Sequence, residues 1–317
     1  MTPVSNPVGD NQSHQGTRSG TSTRSTPAPR GKATTPKRST PWARAGRRFI
    51  RQPAGVLGLS ILATYVVAAV VAPWLAPYDP LALNAGDELV APSATYLLGT
   101  DELGRDILSR IIFGARTSLL VGVLAVAVGA SVGGASGLVS GYVGGWSDAT
   151  MMRGWDAVFA VPAVMLGIAV AAVLGAGSST AAIALGIASM PIFARITRAV
   201  VISEKQKEYV SAAIVDGASH TRIMIKHIFP NAAGPLLVQL ALTMTFSILV
   251  EAALSFIGLG AQAPAPSWGR MLAESRSFLH EARWYAIFPG LAITTLVVGL
   301  NFIADALRDA FDPRSVR

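Results

Sequence analysis

The sequence predicts an all-α, polytopic membrane protein with about six transmembrane helices. Composition is the first observation behind this reading. Hydrophobic residues make up 51% and charged residues 14% of the 317 positions, against roughly 25% charged in an ordinary soluble domain. The second is a recurrence of apolar stretches, at 56–74, 118–142, 155–174, 180–201, 235–257 and 284–304, most of them near the about 20 residues that cross a hydrocarbon core. The third is a polar, turn-punctuated island at 201–235, too short for a domain and too apolar for an idle linker. Cysteine is absent, which excludes a disulfide framework, a thiol nucleophile and a thiolate metal site.

The chain divides into an N-terminal tail, 1–45, and a membrane domain, 46–317. The tail is rich in Ser, Thr, Pro, Gly, Arg and Lys without apolar periodicity, so it is expected to be disordered. It has no apolar core ahead of a small-residue cleavage site and does not read as an ordinary signal peptide. Much of the net charge of +8 sits there. The cluster Lys37, Arg38, Arg44, Arg47, Arg48 and Arg51, set directly before the first span, fits anionic membrane lipid rather than nucleic acid.

The first span, 56–74, is closed by Pro73 and Pro77. The polar stretch 76–116 that follows belongs outside the membrane and carries Asp79, Asp87, Glu88, Asp101, Glu102 and Asp106. Gly99 and Gly104 permit turns within it, and Ile107, Leu108, Ile111 and Ile112 give an interfacial helix its apolar face. These acids lack the alternating ligand order of a calcium loop, so no metal is assigned. In the second span Gly129, Gly133, Gly137 and Gly141 recur every four residues. Small residues at that spacing open a groove that lets a neighbouring helix approach closely. Gly144-Gly145-Trp146 and Asp148 mark the inner return loop.

Pro162 and Pro191 interrupt the third and fourth spans, which are joined by Gly175-Ala176-Gly177-Ser178-Ser179. Such breaks persist in a membrane where protein or water satisfies the freed backbone groups, which turns these helices toward the bundle interior. Arg195 and Arg198, near the inner end of the fourth span, have the reach to snorkel to the headgroups. Arg195 is also a candidate for lining the inner mouth of a solute pathway.

Within the island, residues 204–214 are helix-forming, with Tyr209, Val210, Ala213 and Ile214 on one side. Asp216-Gly217-Ala218-Ser219 breaks that helix: Gly217 suits the left-handed position past a helix end, and Ser219 suits an N-cap. A second short helix, 221–229, is expected to stop at Pro230, which has no N–H and clashes with the preceding turn.

Pro235 belongs in the first turn of the fifth span, where a missing N–H costs little. Glu251 lies in the outer half of that span, and an acid at a helix centre costs on the order of 2.5 to 3.5 kcal/mol to insert. It fits either a buried structural hydrogen bond or a pathway or gate contact. An outer loop follows, and the sixth span contains Pro289, with Asn301 and Asp305 near its inner end.

Several of these motifs together resemble one family. Glu208-Tyr209-Val210-Ser211-Ala212-Ala213, Gly217-Ala218-Ser219, Arg222-Ile223 and His227-Ile228-Phe229-Pro230-Asn231 resemble the EAA loop of ABC-importer permeases, with Ser211 where the pattern usually has Glu. Gly99-Thr100-Asp101-Glu102-Leu103-Gly104-Arg105-Asp106, with Ser109-Arg110, resembles the C-type subunit of the dipeptide and oligopeptide branch, whose relatives also carry nickel chelates. The stretches 255–260, 264–269 and 308–314 add to the likeness, which covers about 48–317.

The resemblance implies that the island is a cytoplasmic coupling helix that docks in a cleft of an ATPase subunit. Its ATPase-coupling residues are then Glu208, Tyr209, Ala212, Ala213, Asp216, Gly217, Ala218, Arg222, His227, Pro230 and Asn231. The outer-loop signature is Gly99, Thr100, Asp101, Gly104, Arg105 and Asp106, and the fold becomes a permease domain. It further implies a homologous second permease, two cytoplasmic ATPase subunits and an extracytoplasmic binding protein. The expected cargo is a di- or oligopeptide, with nickel chelates, glutathione or another small solute as the alternative.

No G-x-x-x-x-G-K-[ST] run occurs, so ATP and Mg are expected in the partner ATPases, with no cofactor held by this chain. His14, His220, His227 and His280 stand beside no nucleophile and form no H-E-x-x-H, which argues against an intramembrane enzyme and leaves no catalytic residue to name. A passive channel or receptor has no need of such a loop. The expected location is a bacterial plasma membrane with both termini inside. Arg105, Arg110, Arg116, Arg270, Arg276 and Arg283 fall in loops placed outside. Orientation charges count mainly in short loops, and the first of these loops is long.

Overall fold

In hydrocarbon each backbone N–H must find its partner within its own segment, and a helix achieves this without a closing neighbour. The computed structural model describes residues 41–83 and 87–311. Their regular structure is helical apart from one isolated bridge between Thr100 and Asp106. In chain order the elements are α1 (Pro41–Arg51), α2 (Pro53–Val70), α3 (Ala72–Leu75) and α4 (Ile107–Val128), then a π turn (Gly129–Gly133) leading into α5 (Gly134–Val143). Next come α6 (Gly145–Phe159), α7 (Ala163–Leu174), α8 (Ser178–Lys205), α9 (Glu208–Val215) and α10 (His220–Arg222). A second π turn (Ile223–Ile228) opens into α11 (Phe229–Phe256), followed by α12 (Trp268–Ser275) and α13 (Arg283–Phe311).

Five stretches are long and apolar enough to cross a membrane: Pro53–Val70, Ile107–Val143, Ser178–Lys205, His220–Phe256 and Arg283–Phe311. A sixth exists if α6 and α7, bent by 84° at their junction, count as one span. The interruption expected at Pro162 in the third span, 155–174, is thus a sharp bend between two helices. The bend falls at Pro162, whose extended backbone (ψ 137°) precedes α7. Pro191, by contrast, leaves α8 unbroken. At that level the helix packs closely on its neighbour: a Cβ placed on Gly133 would lie 2.3 Å from the Met190 carbonyl oxygen.

Other boundaries move for local reasons. The disordered tail expected over 1–45 lies outside the described residues up to residue 40, whereas from Pro41 the chain is helical, a start that proline tolerates in a first turn. Gln52 Nε2 donates to Asp309 of α13 at 3.1 Å, and Phe49 packs on the core. The first span ends at Val70, with α3 as a separate turn around Pro73. Ile107, Leu108, Ile111 and Ile112 do not form an interfacial helix but begin α4 itself. Asp106 caps that helix by accepting the Ser109 N–H at 2.8 Å, and no breaker follows.

The largest apolar cluster joins α2, α4, α11, α12 and α13 around Ile248, Trp268, Leu296 and Leu300. A second joins α4, α8 and α11 through Val121, Ala125, Leu185 and Leu254. The four-residue glycine repeat faces α8. Cβ atoms on Gly129, Gly133, Gly137 and Gly141 would lie 2.0 Å from Ser189 Oγ, 2.3 Å from Met190 O, 2.2 Å from Ala194 O and 2.9 Å from Arg198 O. At the last three glycine lets the two backbones meet, and at Gly129 it makes room for the Ser189 side chain.

Candidate functional site

The island between α8 and α11 is a loop seated on a small apolar cluster. Val210 and Ala213 of α9 meet Ile223 and Ile228 of the second π turn, Val201 of α8 and Tyr142 of α5. Two polar contacts also reach α5: the Tyr142 hydroxyl lies 2.8 Å from His220 Nδ1, and Lys205 Nζ donates to the Tyr142 carbonyl at 2.6 Å.

Local chemistry sets the turn in the middle. Gly217 has φ +75°, and the Ser219 side chain accepts the Arg222 N–H at 3.4 Å, as a C-terminal glycine and an N-cap serine should. Two expectations fail here. The helix expected over 204–214 is split, because α8 runs on to Lys205 and α9 starts at Glu208 after an extended Lys207 (φ −81°, ψ 146°). Pro230, expected to stop a helix at 229, instead sits in the first turn of α11. The Phe229 N–H bonds the Met224 carbonyl, five residues back. This wider turn relieves the proline's clash with the preceding turn, so the helix continues into the span.

The residues that the resemblance singles out divide into two sets. Glu208, Ala212, Asp216, Gly217, Arg222 and Pro230 are exposed, while Ala213 is buried and Ala218 and His227 are half-buried. Ile214, expected beside Val210 on the inner side, points outward, and with Val215 it forms an apolar tip, 52% and 87% exposed. Tyr209 and Asn231 also reach the surface but bond to each other. The Tyr209 hydroxyl donates to Glu204 at 2.6 Å and receives Asn231 Nδ2 at 3.1 Å, and Asn231 Nδ2 also donates to the His227 carbonyl at 2.7 Å. Burial, then the Glu204 carboxylate beside it, push the Tyr209 phenol up to about 12. Glu204 and Val215 escaped the motif reading; Val215 is found by its exposure in a helix whose buried residues are Val210 and Ala213.

The outer-loop signature is a buried ionic clamp. Gly99 and Gly104 take positive φ, 82° and 66°. Thr100 Oγ1 donates to the Asp87 carbonyl at 2.7 Å and accepts the Val90 N–H at 2.8 Å. Asp101 accepts the Leu103 and Arg105 N–H groups at 2.9 Å and Arg105 Nε at 2.7 Å, and Arg110 Nε lies 3.3 Å away. Glu274 of α12 receives Arg110 Nη2 at 3.2 Å, Arg270 Nε at 2.6 Å and the Tyr285 hydroxyl at 2.9 Å. Glu274 and Tyr285 could not be read from the motif, because Glu274 lies 164 positions from its partner Arg110.

Glu251 is fully buried. It accepts the hydroxyls of Ser255 at 2.7 Å, Ser267 at 3.3 Å and Ser118 at 3.4 Å, so one carboxylate ties α11, the N-cap of α12 and α4. Arg195 has partners within the chain. It bonds Asp156 of α6 at 2.5 Å and stacks 4.3 Å from the Phe159 ring centroid. Arg198 likewise grips Asp148 through two bonds of 2.6 Å. An apolar groove of about 440 Å³ opens between α5 and α11, lined by Ala130, Leu138, Phe229, Leu237 and Leu240 among others. Among the described residues no three His, Cys, Asp or Glu side chains gather as a metal site.

Residues 133–317 match the family described as the binding-protein-dependent transport system inner membrane component, and 40–92 match the N-terminal transmembrane domain of oligopeptide transport permease C. Similar proteins include the dipeptide transport system permease protein DppC of Alkalihalophilus pseudofirmus, 40% identical over 86% of this chain and 90% of that one. The di/tripeptide permease DppC of Pseudomonas aeruginosa is 40% identical over 84% and 90%. The glutathione permease GsiD of Escherichia coli is 43% identical over 87% and 91%. Among solved structures, a chain of the inward-facing MetNI methionine ABC transporter shares the fold, with a TM-score of 0.54 and 16% identity over 64% of this chain and 96% of that one.

Proposed function

This chain belongs to the binding-protein-dependent inner membrane transport components, as a permease subunit of an ABC importer, and from that premise we propose how it works. The loop from α9 to the second π turn docks in a cleft of a cytoplasmic ATPase subunit and passes ATP-driven movement into α8 and α11. The observation that carries this reading is the exposed apolar tip of Ile214 and Val215 on a loop otherwise anchored by its own cluster. A side chain 87% exposed contributes nothing to this chain's core, and isoleucine and valine gain by burial in a partner.

The importer comprises this subunit, a homologous second permease, two ATPases that bind ATP and Mg, and an extracytoplasmic binding protein that delivers cargo to the outer mouth. The protein is a multi-pass inner-membrane protein. Both termini and the coupling loop lie on the cytoplasmic side, where Arg47 and Arg51 of α1 meet anionic lipid. The ATPase pair shifts the permease between its two states only through contacts that differ between those states.

The cargo is a di- or oligopeptide, in keeping with the dipeptide permeases at 40% identity. Glutathione is the second reading, supported by the permease at 43%. The test is uptake of labelled dialanine into vesicles that hold the complete set of subunits. ATP-dependent uptake competed by other dipeptides but not by glutathione is the expected result. Competition by glutathione alone replaces the cargo, and uptake without ATP removes the coupling reading.

A further inference from the structure

Glu204 ends α8 with its side chain only 9% exposed, an unusual place for a carboxylate in a surface loop. Its two oxygens are taken by different partners: Lys207 Nζ on one and the Tyr209 hydroxyl, at 2.6 Å, on the other. The phenol oxygen also receives Asn231 at the start of α11. One oxygen atom on α9 is thus bonded to the end of α8 and to the beginning of α11. Otherwise α9 hangs from α8 by the link Gln206–Lys207, where Lys207 is extended. Its inner face contributes only Val210 and Ala213 to the apolar cluster. Removing the phenol would leave a buried carboxylate oxygen without its donor, so this bond resists separation more than its net worth suggests.

We infer that Glu204 is a positioning residue for coupling: it holds α9 to α8 and, through Tyr209, to α11, so that displacement of α9 reaches both spans together. The inference rests on the coupling reading proposed above. It places Tyr209 and Asn231 in the transmission between helices, as distinct from the exposed residues that face the ATPase.

The chain's lack of cysteine provides a clean probe. Ile257→Cys, just past the outer end of α11 and 53% exposed, is labelled with a membrane-impermeant maleimide in the complete complex in lipid vesicles, with and without Mg-ATP. With Glu204 intact the labelling rate changes on ATP addition. With Glu204→Ala the expected result is that this response falls about tenfold, while the ATPases still co-purify and hydrolyse ATP. Glu204→Gln, which still accepts the phenol proton, keeps the response within about twofold. If Glu204→Ala reduces the amount of complex, Tyr209→Phe removes the same bond while keeping the ring, and is read for its labelling response with the same expectation. A wild-type response in Glu204→Ala or Tyr209→Phe overturns the inference, as does loss of ATPase binding in Glu204→Ala, which would make Glu204 a docking residue. Labelling indifferent to ATP before any change at Glu204 brings down the coupling reading, and the inference with it.

Discussion

The loop ahead of α4 and the loop between α8 and α11 both carry motif residues, yet they are held by opposite means. The outer one is fastened by buried charge: Asp101 and Arg110 are fully buried, and Glu274 and Tyr285 reach in from other helices. The inner one rests on a small apolar cluster and on the hydroxyls of Tyr142 and Tyr209, with its apolar tip and its turn in the open. A buried ionic network has one low-energy geometry and is costly to leave half-satisfied. A small apolar cluster tolerates sliding. On the coupling mechanism proposed above, the first loop is the one that keeps its shape and the second the one that is moved.

That contrast is open to attack from both sides. Asp101→Ala removes the buried carboxylate that Arg105 and Arg110 share and leaves them only Glu102 and Glu274, and breaking a buried pair from one side costs about 3–5 kcal/mol; the chain is expected to fail to accumulate in the membrane, as read by immunoblot. Normal accumulation would remove the idea of a rigid outer clamp. Gly137→Val pushes a branched side chain into a space where even Cβ lies 2.2 Å from the Ala194 carbonyl. Overpacking of this kind costs about 1–3 kcal/mol, and a lower melting temperature of the detergent-purified complex is expected.

Gly217→Val tests the inner loop alone. A Cβ there meets nothing within 4 Å, so the whole cost is that of a left-handed backbone, about 1–2 kcal/mol. Uptake should fall while the amount of chain stays near normal, and Gly217→Asn should lose less, because asparagine tolerates that conformation. The smallest effect is expected for Lys207→Ala. Its pair with Glu204 is half exposed on the lysine side and is worth roughly 0.2–1 kcal/mol, so uptake should match wild type within error.

The inner turn was legible because its causes lie within a few residues of one another: Gly217 and Ser219 behave in the fold as their local chemistry demands. That the glycine face packs closely on a neighbouring helix follows from spacing along one helix and was legible for the same reason, although the spacing did not say that the neighbour is α8. What escaped depends on distant partners. Glu274 and Tyr285 belong to the outer clamp only after α12 and α13 have folded back over the loop. The continuation of α11 through Pro230 needs a change of hydrogen-bond register that composition does not announce. The bend at Pro162 measures 84°, whereas the proline alone predicts a break without an angle.

The unbroken helical run His220–Phe256 has one more consequence. Its 37 residues, at 1.5 Å each, make a rod about 55 Å long. Tilting such a rod by about 5° at its His220 end sweeps its far end through roughly 5 Å. That stroke is about the lateral width of a single extended polypeptide, so a displacement too slight to disturb packing at the foot is geared up, at the opposite face, into the breadth of one peptide.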